Sequence, residues 1–123
     1  MTGAAPIAEW LGFSSEETGD DRLYRLAFNE THIGNPAIRA LHGGVIAAFL
    51  ELAMQSELRA NGRTPEATVN VTIDYVASSR AENMTARVKV IRIGRRLAFM
   101  EAEGRQADGS RLVAVARACL RLS

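Results

Sequence analysis

One stretch limits the fold more than any other. Residues 45–58 are dense in Ala, Leu, Ile, Met and Phe, hold neither Pro nor Gly, and run out near Asn61-Gly62, a pair that commonly ends a helix. The length suits a helix of about four turns. The nearly uncharged region around it, residues 40–56, is too short to span a bilayer and is interrupted by His42, two glycines and Glu51. A helix this apolar needs cover on most of its faces. The remainder of the chain must supply a surface that wraps it.

The residues that follow have the pattern of a sheet. Ala67, Val69, Val71, Ile73, Tyr75 and Ala77 alternate with Thr68, Asn70, Thr72 and Asp74, which predicts a half-buried strand with the first set inward. Residues 85–93 repeat the alternation until Val90 and Ile91 fall together, a phase slip of the kind a bulge produces. Strands over 97–104 and 111–122 follow, joined by the turn at 107–110. On the last of them Leu112, Ala114, Ala116, Ala118, Leu120 and Leu122 share a face opposite Arg111, Arg117 and Arg121, and the alanines allow close helix packing. Upstream, Tyr24, Leu26 and Phe28 with the turn at 18–21 predict a hairpin of residues 11–17 and 22–28, followed by a loop over 29–41. The order is hairpin, loop, one long helix and four strands. The fold class is α+β, with one antiparallel β-sheet wrapped around a single central helix.

The size fits one domain, residues 1–123, since 13.3 kDa with 47% hydrophobic residues leaves no room for a separate cofactor domain. The net charge of +1 argues against a dedicated nucleic-acid binder. Lys89 is the only lysine, so arginine carries nearly all of the basic charge. Cys119 stands alone, which excludes an internal disulfide and a cysteine-based metal site and suits a reducing cytoplasm. The segment from Met1 to Trp10 lacks the basic and apolar regions of a secretion signal.

Two features carry chemistry. Glu51 is the only charge between Arg39 and Glu57 and sits among Phe49, Leu50, Leu52 and Ala53. A carboxylate in such surroundings is costly unless it is paired or used. Its structural alternative is an ion pair with an arginine from a neighbouring strand. At the helix entrance stands Leu41-His42-Gly43-Gly44, whose first-turn N–H groups have no intrahelical partner and suit an oxygen that gains negative charge. The alternative there is a sharp loop-to-helix turn, with His42 packed in the loop. Glu51 lies eight residues beyond Gly43, roughly 12 Å along the axis at 1.5 Å per residue. One helix cannot bring both to the same atom. A joint site needs Glu51 of one subunit facing Gly43 of another across a two-fold axis.

The stretch from Ile33-Gly34-Asn35-Pro36 through His42-Gly43-Gly44 to Glu51-Leu52-Ala53 resembles the helix-entry motif of hotdog-fold acyl-CoA thioesterases, in particular their PaaI-like, phenylacetate-pathway branch. The 4-hydroxybenzoyl-CoA thioesterase type belongs to the same group. The resemblance implies a hotdog fold and a thioester hydrolase acting on a small or medium acyl-CoA, aromatic acyl groups included. It gives the Gly43 N–H the task of polarising the thioester carbonyl and Glu51 of the opposite subunit that of nucleophile or general base. His42 and Gly44 belong to the same motif, Asn35 is the candidate for orienting nucleophile or substrate, and Gln55, one turn after Glu51, can hydrogen-bond the same water.

For coenzyme A, the resemblance points to basic and polar groups near its phosphates, with Ser78, Arg80, Arg95 and Arg96 as candidates. Coenzyme A enters only as part of the substrate, so no cofactor and no metal are implied. The partners implied are acyl-CoA and further copies of the chain, as a homodimer or a dimer of dimers, with no membrane or nucleic acid. Trp10, Phe13 and Tyr75 leave the acyl group open. Two other hotdog functions stay open on the same residues: a non-catalytic acyl-CoA-binding module, and a hydratase or dehydratase acting on enoyl thioesters.

Overall fold

A computed structural model describes residues 6–123. Residues 1–5, which open the segment read as lacking a secretion signal, lie outside the described residues. The chain runs α1 (Pro6–Leu11), β1 (Phe13–Thr18), β2 (Asp21–Leu26), a 3-10 turn (Glu30–His32), β3 (Ile33–Asn35), β4 (Ala40–Leu41), α2 (Gly43–Ala60), β5 (Pro65–Tyr75), β6 (Met84–Ile93), β7 (Leu97–Gln106) and β8 (Arg111–Leu122). Six strands form one antiparallel sheet in the order β1-β2-β6-β7-β8-β5, while β3 and β4 make a separate ribbon.

Helix α2 extends the expected segment by two residues at each end. It stops where Asn61-Gly62 predicted, because Gly62 takes φ +78°. The amides of Gly62 and Arg63 then reach back to the carbonyls of Arg59 and Leu58 at 3.0 Å each, a Schellman closure. Phe49, Leu50, Ala53, Met54 and Leu58 are fully buried against the sheet. The sheet receives them with Ala98, Ala102, Ala114 and Ala116, and with Gly104, where a Cβ would lie 3.1 Å from Met84 Sδ and 3.2 Å from Leu50 Cδ2. Small residues opposite large ones bring helix and sheet to close packing.

The bulge expected at Val90 and Ile91 is present. The β6–β7 register shifts between Val90 and Arg92, and Ile91 turns out to 53% exposure. Three expectations need correction. The first hairpin strand begins at Phe13 rather than at residue 11: Leu11 closes a short helix over residues 6–11, and the chain enters β1 only after Gly12 at φ +61°, packed so closely on Ala27 that a Cβ would lie 2.8 Å from its Cβ. Within the expected loop, residues 29–41, the 3-10 turn and the β3–β4 ribbon carry backbone hydrogen bonding. Strand β5 carries a bulge of its own between Thr68 and Asn70, which pushes Val69 out to 55% exposure and turns Thr68 towards the helix instead of away. Tyr75, also expected inward, is 52% exposed.

Candidate active site

The site is assembled around the entrance of α2. His42 is the N-cap, and its ring Nδ1 accepts the Gly44 N–H at 2.9 Å while its carbonyl accepts from Val45 and Ile46 at 2.9 and 3.2 Å. Three of the first-turn donors are thus satisfied by one residue. The Gly43 N–H is left without an acceptor among the described residues. The histidine expected among the catalytic groups is therefore the group that selects Gly43 as the free donor. Nδ1 is committed as an acceptor, which puts the ring proton on Nε2.

Two neighbours fix this entrance. Gly34 on β3 runs so close that a Cβ there would sit 2.8 Å from His42 Cα. The Tyr75 hydroxyl, at the end of β5, donates to the Gly43 carbonyl at 2.8 Å. No acidic side chain lies in the first turn of α2, so the positive end of the helix dipole is not offset locally.

Glu51 is half-buried in the middle of α2. Its Oε2 accepts the Thr68 hydroxyl at 2.7 Å and the Gln55 amide at 3.5 Å, and Oε1 has no partner among the described residues. No arginine meets it. That role belongs to Glu57, whose two oxygens accept from Arg22 at 2.9 Å and Tyr24 at 2.7 Å. Burial, reinforced by the hydrogen bond to Glu57, keeps the Tyr24 hydroxyl protonated well above the ordinary tyrosine range. The carboxylate with a structural partner is Glu57; the one held by a hydroxyl and an amide, with an oxygen to spare, is Glu51.

The other predicted residues are distributed unevenly. Asn35 is exposed, and its Oδ1 accepts from the Ala37 N–H at 3.0 Å, closing a local turn beside the Gly34 contact. Ser78 and its neighbour Ser79 line an open groove of about 460 Å³ with Gly43 and Tyr75. Arg80 follows on the same loop, held by a residue the sequence did not suggest. Gln106, 1% exposed, accepts from the Arg80 N–H at 2.9 Å and donates to the carbonyls of Arg80 and Glu82 at 2.9 and 3.1 Å.

Arg95 and Arg96 lie at the other end of the sheet. Leu97 pairs with Arg121 next to the Leu122–Pro65 pair, whereas Tyr75 pairs with Ala114. They share a groove of about 400 Å³ with Arg92. The candidate phosphate-binding residues thus fall into two separate sets within one chain. Thr68, Tyr75 and Gln106 had no motif to announce them: the alternation puts Thr68 on the outward, polar face, and Gln106 falls beyond the strand expected over 97–104.

The family described as acyl-CoA thioesterase N-terminal domain matches residues 31–121, a span that takes in the α2 entrance, Glu51, β5–β7 and all but the last residue of β8. The chain belongs to this thioesterase family. A solved protein of the thioesterase superfamily superposes on it with a TM-score of 0.87 at 30% identity, over 97% of this chain and 90% of the other. A Bacillus halodurans protein solved with CoA gives 0.85 at 22% identity, covering 98% and 80%. The Escherichia coli PaaI protein from the phenylacetic acid degradation operon gives 0.81 at 19%, covering 94% and 83%. No curated protein matches the sequence.

The fold is therefore the hotdog fold, and the thioesterase is a thioester hydrolase of the acyl-CoA class. Among the described residues of the thioesterase no three His, Cys, Asp or Glu side chains converge on a point where a metal ion would fit. No helix in that part of the chain is long and apolar enough to cross a membrane.

Proposed function

We propose that the thioesterase hydrolyses a small or medium acyl-CoA, aromatic acyl groups included, at two equivalent sites in a dimer. Each site combines the Gly43 N–H of one protomer with Glu51 of the other. The thioester oxygen sits at the Gly43 N–H, where charge accumulates as the carbonyl carbon becomes tetrahedral. The free Oε1 of Glu51 takes a proton from water, the hydroxide adds to the carbonyl carbon, and the C–S bond breaks. The thiolate recovers the proton, leaving the free acid and CoA. Attack by Oε1 itself would instead form an anhydride that water then opens. Both routes use the same oxygen, and Thr68 aims it.

One observation carries the shared site. Thr68 holds Glu51 and Tyr75 holds Gly43, and both belong to β5, the strand at the end of the sheet. This strand has 11 residues and an edge that is unpaired among the described residues, an open template for a second copy. If the partner's β5 pairs antiparallel with it, each site closes when Thr68 of the partner subunit lies across from about Tyr75.

The midpoint of those two positions falls between Val71 and Thr72. Residues opposite one another in an antiparallel pair point to the same face, and a two-fold axis normal to the sheet preserves that face. The axis must then pass through a residue, Val71 or Thr72, and not between them. Both helices end on one side of a continuous sheet. The same rotation carries Arg95 and Arg96 of the partner subunit towards the end that holds Ser78 and Arg80, which joins the two separated basic sets. The outer sheet face, where Ile91 and Phe99 are 53% and 42% exposed, offers a second contact that makes a dimer of dimers.

The test has two parts. Glu51→Gln should lower thiol release from a panel of acyl-CoAs by about 100-fold or more while the fold persists. Cysteine placed at 71 or at 72 should cross-link to itself on mild oxidation, since facing positions bring Cβ atoms to about 4.5–5.5 Å. Glu66→Cys, near the strand end, should not. Full activity in Glu51→Gln, or in a strictly monomeric protein, overturns the reading.

A further inference from the structure

The α2 entrance is flanked by two grooves of opposite character, and both touch it. The first contains Gly43 and is bordered by the hydroxyls of Tyr75, Ser78 and Ser79. The second contains His42 and Gly44 and is walled by Ile7, Trp10, Ile33 and Val45, with a volume of about 360 Å³. That volume lies at the small end of the roughly 300–1,000 Å³ typical of small-molecule sites. A thioester carbonyl carbon carries two arms, the acyl group and the sulfur with its pantetheine. The pantetheine arm has amides that need hydrogen-bond partners, and the acyl arm has none.

We infer that the apolar groove beside α1 receives the acyl group, with Trp10 as the residue that sets which acyl groups fit. This rests on the hydrolase reading above. The polar groove on the other side of the Gly43 N–H is left for the pantetheine arm, leading to Arg80.

Trp10 is built to act as a fixed wall. The residue is 45% exposed although Leu11 beside it is fully buried, so α1 is anchored by Leu11 and not by the indole. The indole packs edge-on against His32, with ring centroids 4.6 Å apart at 74°. His32 is itself fully buried, and its Nε2 donates to the Trp10 carbonyl at 2.8 Å while its Nδ1 accepts from the Asn29 N–H at 3.1 Å. The 3-10 turn thereby staples α1 across the groove. A large apolar ring left half exposed and held rigid has its open face towards the groove that a substrate chain would fill.

Trp10 is the only tryptophan in the chain, so its emission reports this groove without interference. Binding of hexanoyl-CoA or benzoyl-CoA to the Glu51→Gln protein should shift the emission to the blue, while CoA and acetyl-CoA should not. In the wild-type protein, Trp10→Ala should lower kcat/KM for hexanoyl-CoA by about tenfold or more and leave acetyl-CoA within about twofold, and Trp10→Phe should recover most of the loss. The His32–Trp10 bond is to the backbone and survives both substitutions.

An emission spectrum that does not distinguish hexanoyl-CoA from CoA overturns the groove assignment, as does an unchanged acyl preference in Trp10→Ala. Either result leaves the hydrolase reading standing. A blue shift without any thioester hydrolysis would retain the groove and remove the hydrolase.

Discussion

Replacing Gly43 with proline deletes one hydrogen-bond donor and little else. Gly43 is the first residue of α2, the position where proline is tolerated because that N–H has no intrahelical acceptor. The preceding residue is already suitable: His42 sits at φ −61° and ψ 135°, the extended conformation that a following proline requires. A Cβ at this position would lie 3.4 Å from the Tyr75 hydroxyl oxygen, at the edge of ordinary contact. Stability should therefore change by less than about 1 kcal/mol. Loss of a single oxyanion donor costs about 2.7–4 kcal/mol in the transition state, or 10²–10³ in kcat. Gly43→Ala carries the same Cβ and keeps the N–H, so it should stay close to wild type and separates the donor from the side chain.

The same substitution tests whether the site is shared. Gly43→Pro and Glu51→Gln homodimers should each be nearly inactive. In a heterodimer of the two, one site carries both lesions and the other carries neither, so differentially tagged heterodimers should regain about half of wild-type activity. The assay is thiol release from hexanoyl-CoA. Inactive heterodimers would show that Gly43 and Glu51 act within one protomer, and a Gly43→Pro protein with wild-type kcat would remove the N–H from the mechanism.

Two further outcomes follow from the hydrogen bonds. Thr68→Val keeps the shape and removes the hydroxyl that aims Glu51; a hydrogen bond to a charged group is worth about 1.5–3 kcal/mol, so kcat should fall by about 10- to 150-fold, with Thr68→Ser restoring it and the dimer intact by sedimentation. Tyr24 ionises near 10.0 when unfolded and well above that when folded, so its contribution to stability is complete below pH 10 and is lost as pH rises beyond it. Denaturant midpoints should show wild type losing about 1.4 kcal/mol per pH unit above 10 relative to Tyr24→Phe, and parallel curves would refute the coupling.

Much of the frame can be read directly from residue order. An apolar run without Pro or Gly can only be a covered helix, four alternating runs after it can only be a sheet, and two successive apolar residues at Val90 and Ile91 must break a period of two. The motif at the helix entrance and the distance from Gly43 to Glu51 likewise depend on helix geometry alone, which is why a shared site is an expectation before any packing is known. Helix α1 was not legible, because six residues are too few to show a helical period and the close approach of Gly12 to Ala27 exists only between distant segments.

The inward turn of Thr68 was hidden for a different reason. Ala67, Val69 and Val71 alternate without a slip, and only the pairing of β5 with β8 sets the bulge that exposes Val69 and sends Thr68 to Glu51. Which of the two α2 glutamates meets an arginine was also decided by tertiary structure, since β2 places Arg22 and Tyr24 beside Glu57. Period and composition nominate which face of an element is buried, because amphipathicity is a property of one element. Which polar group aims at which depends on registers and bulges between elements, and the sequence of a single element does not contain them.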